Sequence, residues 1–105
     1  MHSGRIIVAF LIVLGAAPAR AQDPAEQGRA LLQANCARCH AIGKTDVSPL
    51  EAAPPFRVIS QSYELDRFGR YLRRGITSTH PDMPEFRFDE DSAAAVVAYL
   101  RTIQE

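Results

Sequence analysis

The sequence predicts an all-α domain. Apolar residues recur three and four apart in three separate segments. Each segment opens on residues suited to a helix start or closes on one suited to its end. No stretch shows the clean alternation of a half-buried strand, and there is no internal repeat or low-complexity tract.

Residues 1–21 stand apart from that domain. Met1 to Arg5 carries a positive charge, Ile6 to Leu14 is almost wholly apolar, and Ala19-Arg20-Ala21 gives the small-x-small pattern that leader peptidase favours. This is the pattern of a signal peptide, with cleavage expected after Ala21 and an alternative after Ala19. The apolar run is about a dozen residues, short of the roughly 20 that span a bilayer core. Retention as a membrane anchor is therefore the lesser alternative, and no membrane span is expected after cleavage. The leader removes Arg5 and Arg20 but no acid, so the formal balance of zero becomes slightly negative. With no basic stripe either, a nucleic-acid partner is not expected.

Residues 22–105 then form one small domain. Asp23 is placed to cap a first helix, Pro24 suits its first position and Glu26 the capping-box position. Gly28, Leu31, Leu32 and Asn35 follow at helical spacing, so the helix is expected to deliver Cys36 and Cys39 from its last turn. Ala41 to Ser62 is broken by Gly43, Asp46, Ser48, Pro49, Pro54 and Pro55 and reads as a long structured loop. Loops of that length are usually functional or wrapped round something. A second helix is expected over Leu65–Arg74, with Leu65, Phe68 and Leu72 inward, Arg67, Arg70, Arg73 and Arg74 on a solvated face, and Gly75 ending it. Ile76 to Phe88 reads as another loop. The last helix is expected from Asp89-Glu90-Asp91, acids suited to a helix N-terminus, to about Ile103, with Val96, Val97, Tyr99, Leu100 and Ile103 as its apolar face.

Cys36-Ala37-Arg38-Cys39-His40 is the Cys-x-x-Cys-His attachment motif of a c-type haem. Two cysteines three positions apart can each bond one porphyrin vinyl group, and the adjacent histidine can reach the iron as proximal ligand. A mature domain of roughly 85 residues is near the size at which a hydrophobic core alone gives marginal stability. A Cys36–Cys39 disulfide would close too small a loop to organise much beyond its own turn. A covalently tied macrocycle would supply the core itself.

Other readings of these residues are weaker. Structural zinc wants four ligands, and Cys36, Cys39, His40 and His80 do not follow its usual spacing. A thioredoxin-like dithiol needs a βαβ frame that the chain does not show. There is also no plausible acid–base constellation, so no enzyme activity is expected. Asp82, Glu85, Asp89, Glu90 and Asp91 read as solvated charge, while Arg38 and Lys44 flank the motif as a modest positive patch of the kind that alters encounter rate more than affinity.

The chain resembles class I (monohaem) c-type cytochromes over essentially all of 22–105. In that family a glycine lies eight residues before the first cysteine with a large apolar residue midway, here Gly28 and Leu32, and the last helix ends in apolar-Ala-Tyr-Leu, here Val97-Ala98-Tyr99-Leu100. The resemblance implies a small cytochrome c fold, three to four helices wrapped round one covalently bound haem c, with a Gly28–Tyr99 contact where the terminal helices cross. It implies a methionine sixth ligand on the loop before the last helix. Met83 stands there, and Met1 leaves with the leader; the alternative reading of Met83 is core packing. His80, three residues earlier, is the competing ligand, and an open or weakly ligated iron is the third case. The resemblance further implies that His40 donates its other ring nitrogen to a proline carbonyl, with Pro54 or Pro55 at the fitting spacing and Pro49 nearer in sequence. The family's propionate-holding tryptophan is missing; Tyr63 and Arg57 are the residues available for that role.

The expected function is therefore periplasmic electron transfer on haem c, with Cys36 and Cys39 as covalent attachment points, His40 as proximal and Met83 as distal iron ligand. Its partners would be a redox donor and acceptor, and it would act as a monomer or as a subunit of a redox complex. The alternatives are a dedicated cytochrome subunit of a periplasmic dehydrogenase or oxidase and, further off, a five-coordinate gas-binding or peroxide-reducing haem protein.

Overall fold

Among the described residues, three α-helices and one short 3-10 helix form the domain: α1 (Pro24–Asn35), the 3-10 helix (Phe56–Gln61), α2 (Leu65–Arg74) and α3 (Glu90–Ile103). The structure, a computed structural model, describes residues 2–16 and 23–105. Met1, the Ala19-Arg20-Ala21 pattern and both expected cleavage points lie outside the described residues. Within 2–16 there is no helix or strand, and Ile6, Phe10 and Leu14 are exposed. No helix among the described residues is long and apolar enough to cross a membrane.

The helix ends follow from local chemistry. Asp23 caps α1 by accepting from the Ala25 N–H at 3.2 Å, with Pro24 in the first turn where its missing N–H costs nothing. Glu64 caps α2 by accepting from the N–H groups of Asp66 and Arg67. Gly75, at φ 107°, ends α2 in a conformation that side chains rarely adopt, while its N–H donates to Tyr71 O. Asp89 caps α3 by accepting from Ser92 N–H at 2.7 Å.

Two sequence expectations are corrected. The first helix does not deliver both cysteines from its last turn. It ends at Asn35, Cys36 is the cap residue, and Cys39 and His40 lie in a following turn whose N–H groups donate back to Cys36 O at 3.2 and 3.0 Å. The Ala41–Ser62 stretch is also not loop throughout, because it finishes in the 3-10 helix, whose tight pitch suits a short connector and leaves little periodicity to read. Its earlier part is tied by side chains, as expected of a structured loop. Asp46 accepts from the N–H groups of Ile42 and Gly43, and Ser48 Oγ accepts from Ala41 N–H.

The core lies where α3 packs across α1 and α2. Leu32, Phe68, Leu72, Val96, Leu100 and Ile103 are all buried in one cluster, while Leu65 is half-buried at its edge. The α1–α3 crossing is close because Gly28 has no side chain. A Cβ placed there would lie 2.6 Å from the Ala95 carbonyl carbon, overlap its oxygen, and stand 2.9 Å from Tyr99 Cβ. The expected Gly28–Tyr99 neighbourhood is thus present, with the Ala95 carbonyl as the nearer group. Tyr99, itself buried, donates to Ile42 O at 2.5 Å and so ties α3 to the loop after the cysteine motif. Among the described residues there is no strand, only an isolated antiparallel bridge between Ile76 and Phe86 that closes the loop before α3.

Candidate cofactor site

One cavity of about 510 Å³ opens beside the cysteine motif. The expected attachment and ligand residues reach it: Cys36, Cys39, His40 and Met83 all line the wall. His80, the competing ligand, lines it too. The rest of the wall is largely apolar. Leu32 comes from α1, Phe68 and Leu72 from the inner face of α2, Phe56 from the 3-10 helix, and Ile76, Phe86 and Phe88 from the loop before α3.

His40 is held from two sides. Its Nδ1 donates to Pro54 O at 2.7 Å, and its ring stacks on Phe56 with centroids 4.7 Å apart and planes 9° apart. The Pro54 bond fixes the neutral ring with its proton on Nδ1, which leaves the lone pair of Nε2 free. The loop bearing Pro54 is anchored in turn, because Leu50 N–H donates to Cys39 O and Phe56 N–H to Ala41 O. Met83 stands on the opposite side of the sequence, in the bridged loop. Its N–H donates to His80 O at 3.2 Å, which makes His80–Met83 a single turn.

Neither cysteine is in a disulfide. Burial, and secondarily the neighbouring Cys39, pushes the Cys36 thiol up to about 11. At neutral pH it is a protonated and poorly nucleophilic thiol, unlike the activated cysteine of a dithiol oxidoreductase. Among the described residues no group of three or more His, Cys, Asp or Glu side chains is arranged to hold a metal ion, so the zinc reading gains no support.

The donor set does suit an iron porphyrin. It combines two thiols on one rim, an imidazole with one nitrogen free, a thioether from a separate loop, and apolar walls between. Arg57 and Tyr63 do not line the cavity. Arg57 donates to Asp46 O at 2.7 Å and pairs with Glu105 at 3.4 Å, while Tyr63 packs on Phe68 and Tyr71. Phe56, Phe86 and Phe88 are wall residues that the sequence did not single out. For Phe56 the available signal was its place directly after the Pro54-Pro55 pair.

A family model described as cytochrome C oxidase, cbb3-type, subunit III matches residues 23–100, from the cap of α1 into the last turn of α3. No curated protein matches the chain. The helical fold, the Cys-x-x-Cys-His motif on a cavity wall and this match agree, and the chain belongs to that family of c-type cytochrome domains, with covalently bound haem c and a role in haem-based electron transfer.

Proposed function

We propose that the chain is a periplasmic electron carrier, exported by a leader over residues 1–21. Cys36 and Cys39 hold the haem by thioether bonds, His40 is the proximal ligand and Met83 the distal one. The observation that carries this reading is the convergence of those four side chains on one apolar cavity, with His40 Nδ1 already committed to Pro54 O.

Bound there, the haem supplies a one-electron couple at its iron. The chain's residues set the conditions for it. Pro54 O keeps the Nδ1 proton in place, which orients the ring and strengthens His40 as a donor. Met83, a soft thioether, favours the ferrous state and raises the potential above that given by two imidazoles. If His40 and Met83 both held the iron, no position on it would be left for a substrate, which suits a carrier. Leu32, Phe68 and Leu72 exclude water from one wall, and burial is itself a lever on the potential. Exposed Arg38 and Lys44, by the motif, would steer an acidic partner toward that edge.

A dedicated subunit of a periplasmic dehydrogenase or oxidase is the second reading, favoured by the oxidase-subunit description of the matched family. Size-exclusion chromatography of the native exported protein separates the two. A carrier elutes alone at the size of the small domain, and a subunit elutes within a stable complex. Ligation is tested by the red thioether-to-iron absorption band of the oxidised protein. The band is expected in the wild type and lost in Met83→Leu, with a fall in potential. An unchanged spectrum in the variant excludes Met83 as ligand.

A further inference from the structure

The loop that carries Met83 offers a second donor to the same cavity. His80 and Met83 are the two ends of one turn, joined by the Met83 N–H to His80 O bond at 3.2 Å, and both line the cavity. The loop is fastened at its base, where Ile76 and Phe86 exchange two backbone hydrogen bonds of 2.8 and 3.3 Å. Between those fastenings no residue from Thr77 to Glu85 belongs to the protein's own hydrophobic core, so the segment is held by its two ends and by whatever fills the cavity.

His80 is kept out of play by its own turn. Its Nδ1 accepts a hydrogen bond from Asp82 N–H at 3.3 Å. The neutral ring therefore carries its proton on Nε2, and neither nitrogen has a lone pair free for a metal. His40 is the opposite case, with Nδ1 donating and Nε2 free. The two histidines on this cavity are thus held in opposite tautomers, one ready for iron and one not.

We propose that His80 is a reserve axial ligand, which takes the sixth position on the haem iron when Met83 leaves it. The inference rests on the reading of His40 and Met83 given above. In the exchange the Met83 sulfur–iron bond and the Asp82 N–H to Nδ1 hydrogen bond break, and an Nδ1–iron bond forms. The Nε2 proton stays where it is, so no proton or electron changes hands. The product has two nitrogen ligands and a lower potential than the thioether form. One chain would then hold two low-spin forms of different potential, selected by whether the thioether is available.

The test uses exported, haem-loaded wild type, His80→Ala, Met83→Leu and the double variant. Spin state is read by electron paramagnetic resonance and ligand type by near-infrared magnetic circular dichroism of the oxidised proteins. His80→Ala should keep the wild-type thioether spectrum, which shows that fold and Met83 bond survive. Met83→Leu should lose the thioether band yet remain low-spin with a bis-nitrogen signature, and the double variant should become high-spin. High spin in Met83→Leu alone overturns the reserve role and leaves Met83 as ligand. Low spin that persists in the double variant also overturns it, since another group is then the ligand. A bis-nitrogen spectrum already in the wild type overturns the Met83 reading itself and the reserve role with it.

Discussion

His40 donates through Nδ1 to the carbonyl oxygen of Pro54 at 2.7 Å, across fourteen residues of chain. The acceptor is a backbone atom, so the bond depends on the path of the loop rather than on any one side chain. That path is fixed by Leu50 N–H on Cys39 O, by Phe56 N–H on Ala41 O and by the stack of Phe56 on the His40 ring. The motif and the loop after it therefore act as one unit, which orients the imidazole whatever the sixth ligand is.

Gly28 marks the closest approach of α1 and α3. Alanine is the better helix former by about 1 kcal/mol, but its Cβ would collide with the Ala95 backbone carbonyl. A carbonyl in mid-helix cannot turn aside, so α3 as a whole must shift, and overpacking of this kind costs about 1–3 kcal/mol. Gly28→Ala is expected to be net destabilising, read as a lower midpoint in guanidinium unfolding of the haem-loaded protein. A raised midpoint would show that the crossing is looser than the structure has it.

Acid stability should carry the mark of Asp89. Hydrogen bonds from Ser92, first from its backbone N–H, hold the Asp89 carboxyl below its ordinary value of 3.8. A group whose pKa is lowered by folding contributes stability that is complete above its unfolded pKa and is lost as pH falls through the folded one. Asp89→Ala should therefore lower the melting temperature by a few degrees at neutral pH. The gap to wild type should narrow as pH drops below the carboxylate range. A gap independent of pH would contradict the cap.

Gln104 bridges the end of α3 to the 3-10 helix in both directions. Its amide nitrogen donates to Phe56 O at 2.8 Å and to Leu100 O at 3.0 Å, and its oxygen accepts from Ser60 N–H at 2.9 Å. Removing a half-buried group with three such bonds is expected to cost about 1–3 kcal/mol. Faster hydrogen exchange at Ser60 is the local readout in Gln104→Ala. Unaltered exchange there would mean that the 3-10 helix holds itself.

Much of this was legible in the residues. The Leu65–Arg74 helix and the start of the last helix follow from Gly75 and Asp89, whose backbone and capping chemistry act within a few residues. The inward faces of α2 and α3 follow from spacing, and all of Phe68, Leu72, Val96, Val97, Tyr99, Leu100 and Ile103 are buried. The choice of Pro54 over Pro55 was not legible, since adjacent carbonyls differ in direction and not in spacing. Arg57 went to Asp46 and Glu105 because those partners, distant in sequence, are brought close only by the finished fold. The 3-10 helix is likewise a product of the finished fold. Phe56 and Ile59 are drawn in by the core, and a short turn leaves no repeat to find.

The most direct measurement is the intact mass of the exported protein together with its pyridine-haemochrome spectrum. The expected result is the processed chain plus one haem, with the spectrum of two thioether links, and loss of that added mass when Cys36 and Cys39 are both replaced by serine. Exported protein that is colourless, at the mass of the bare chain, would contradict it.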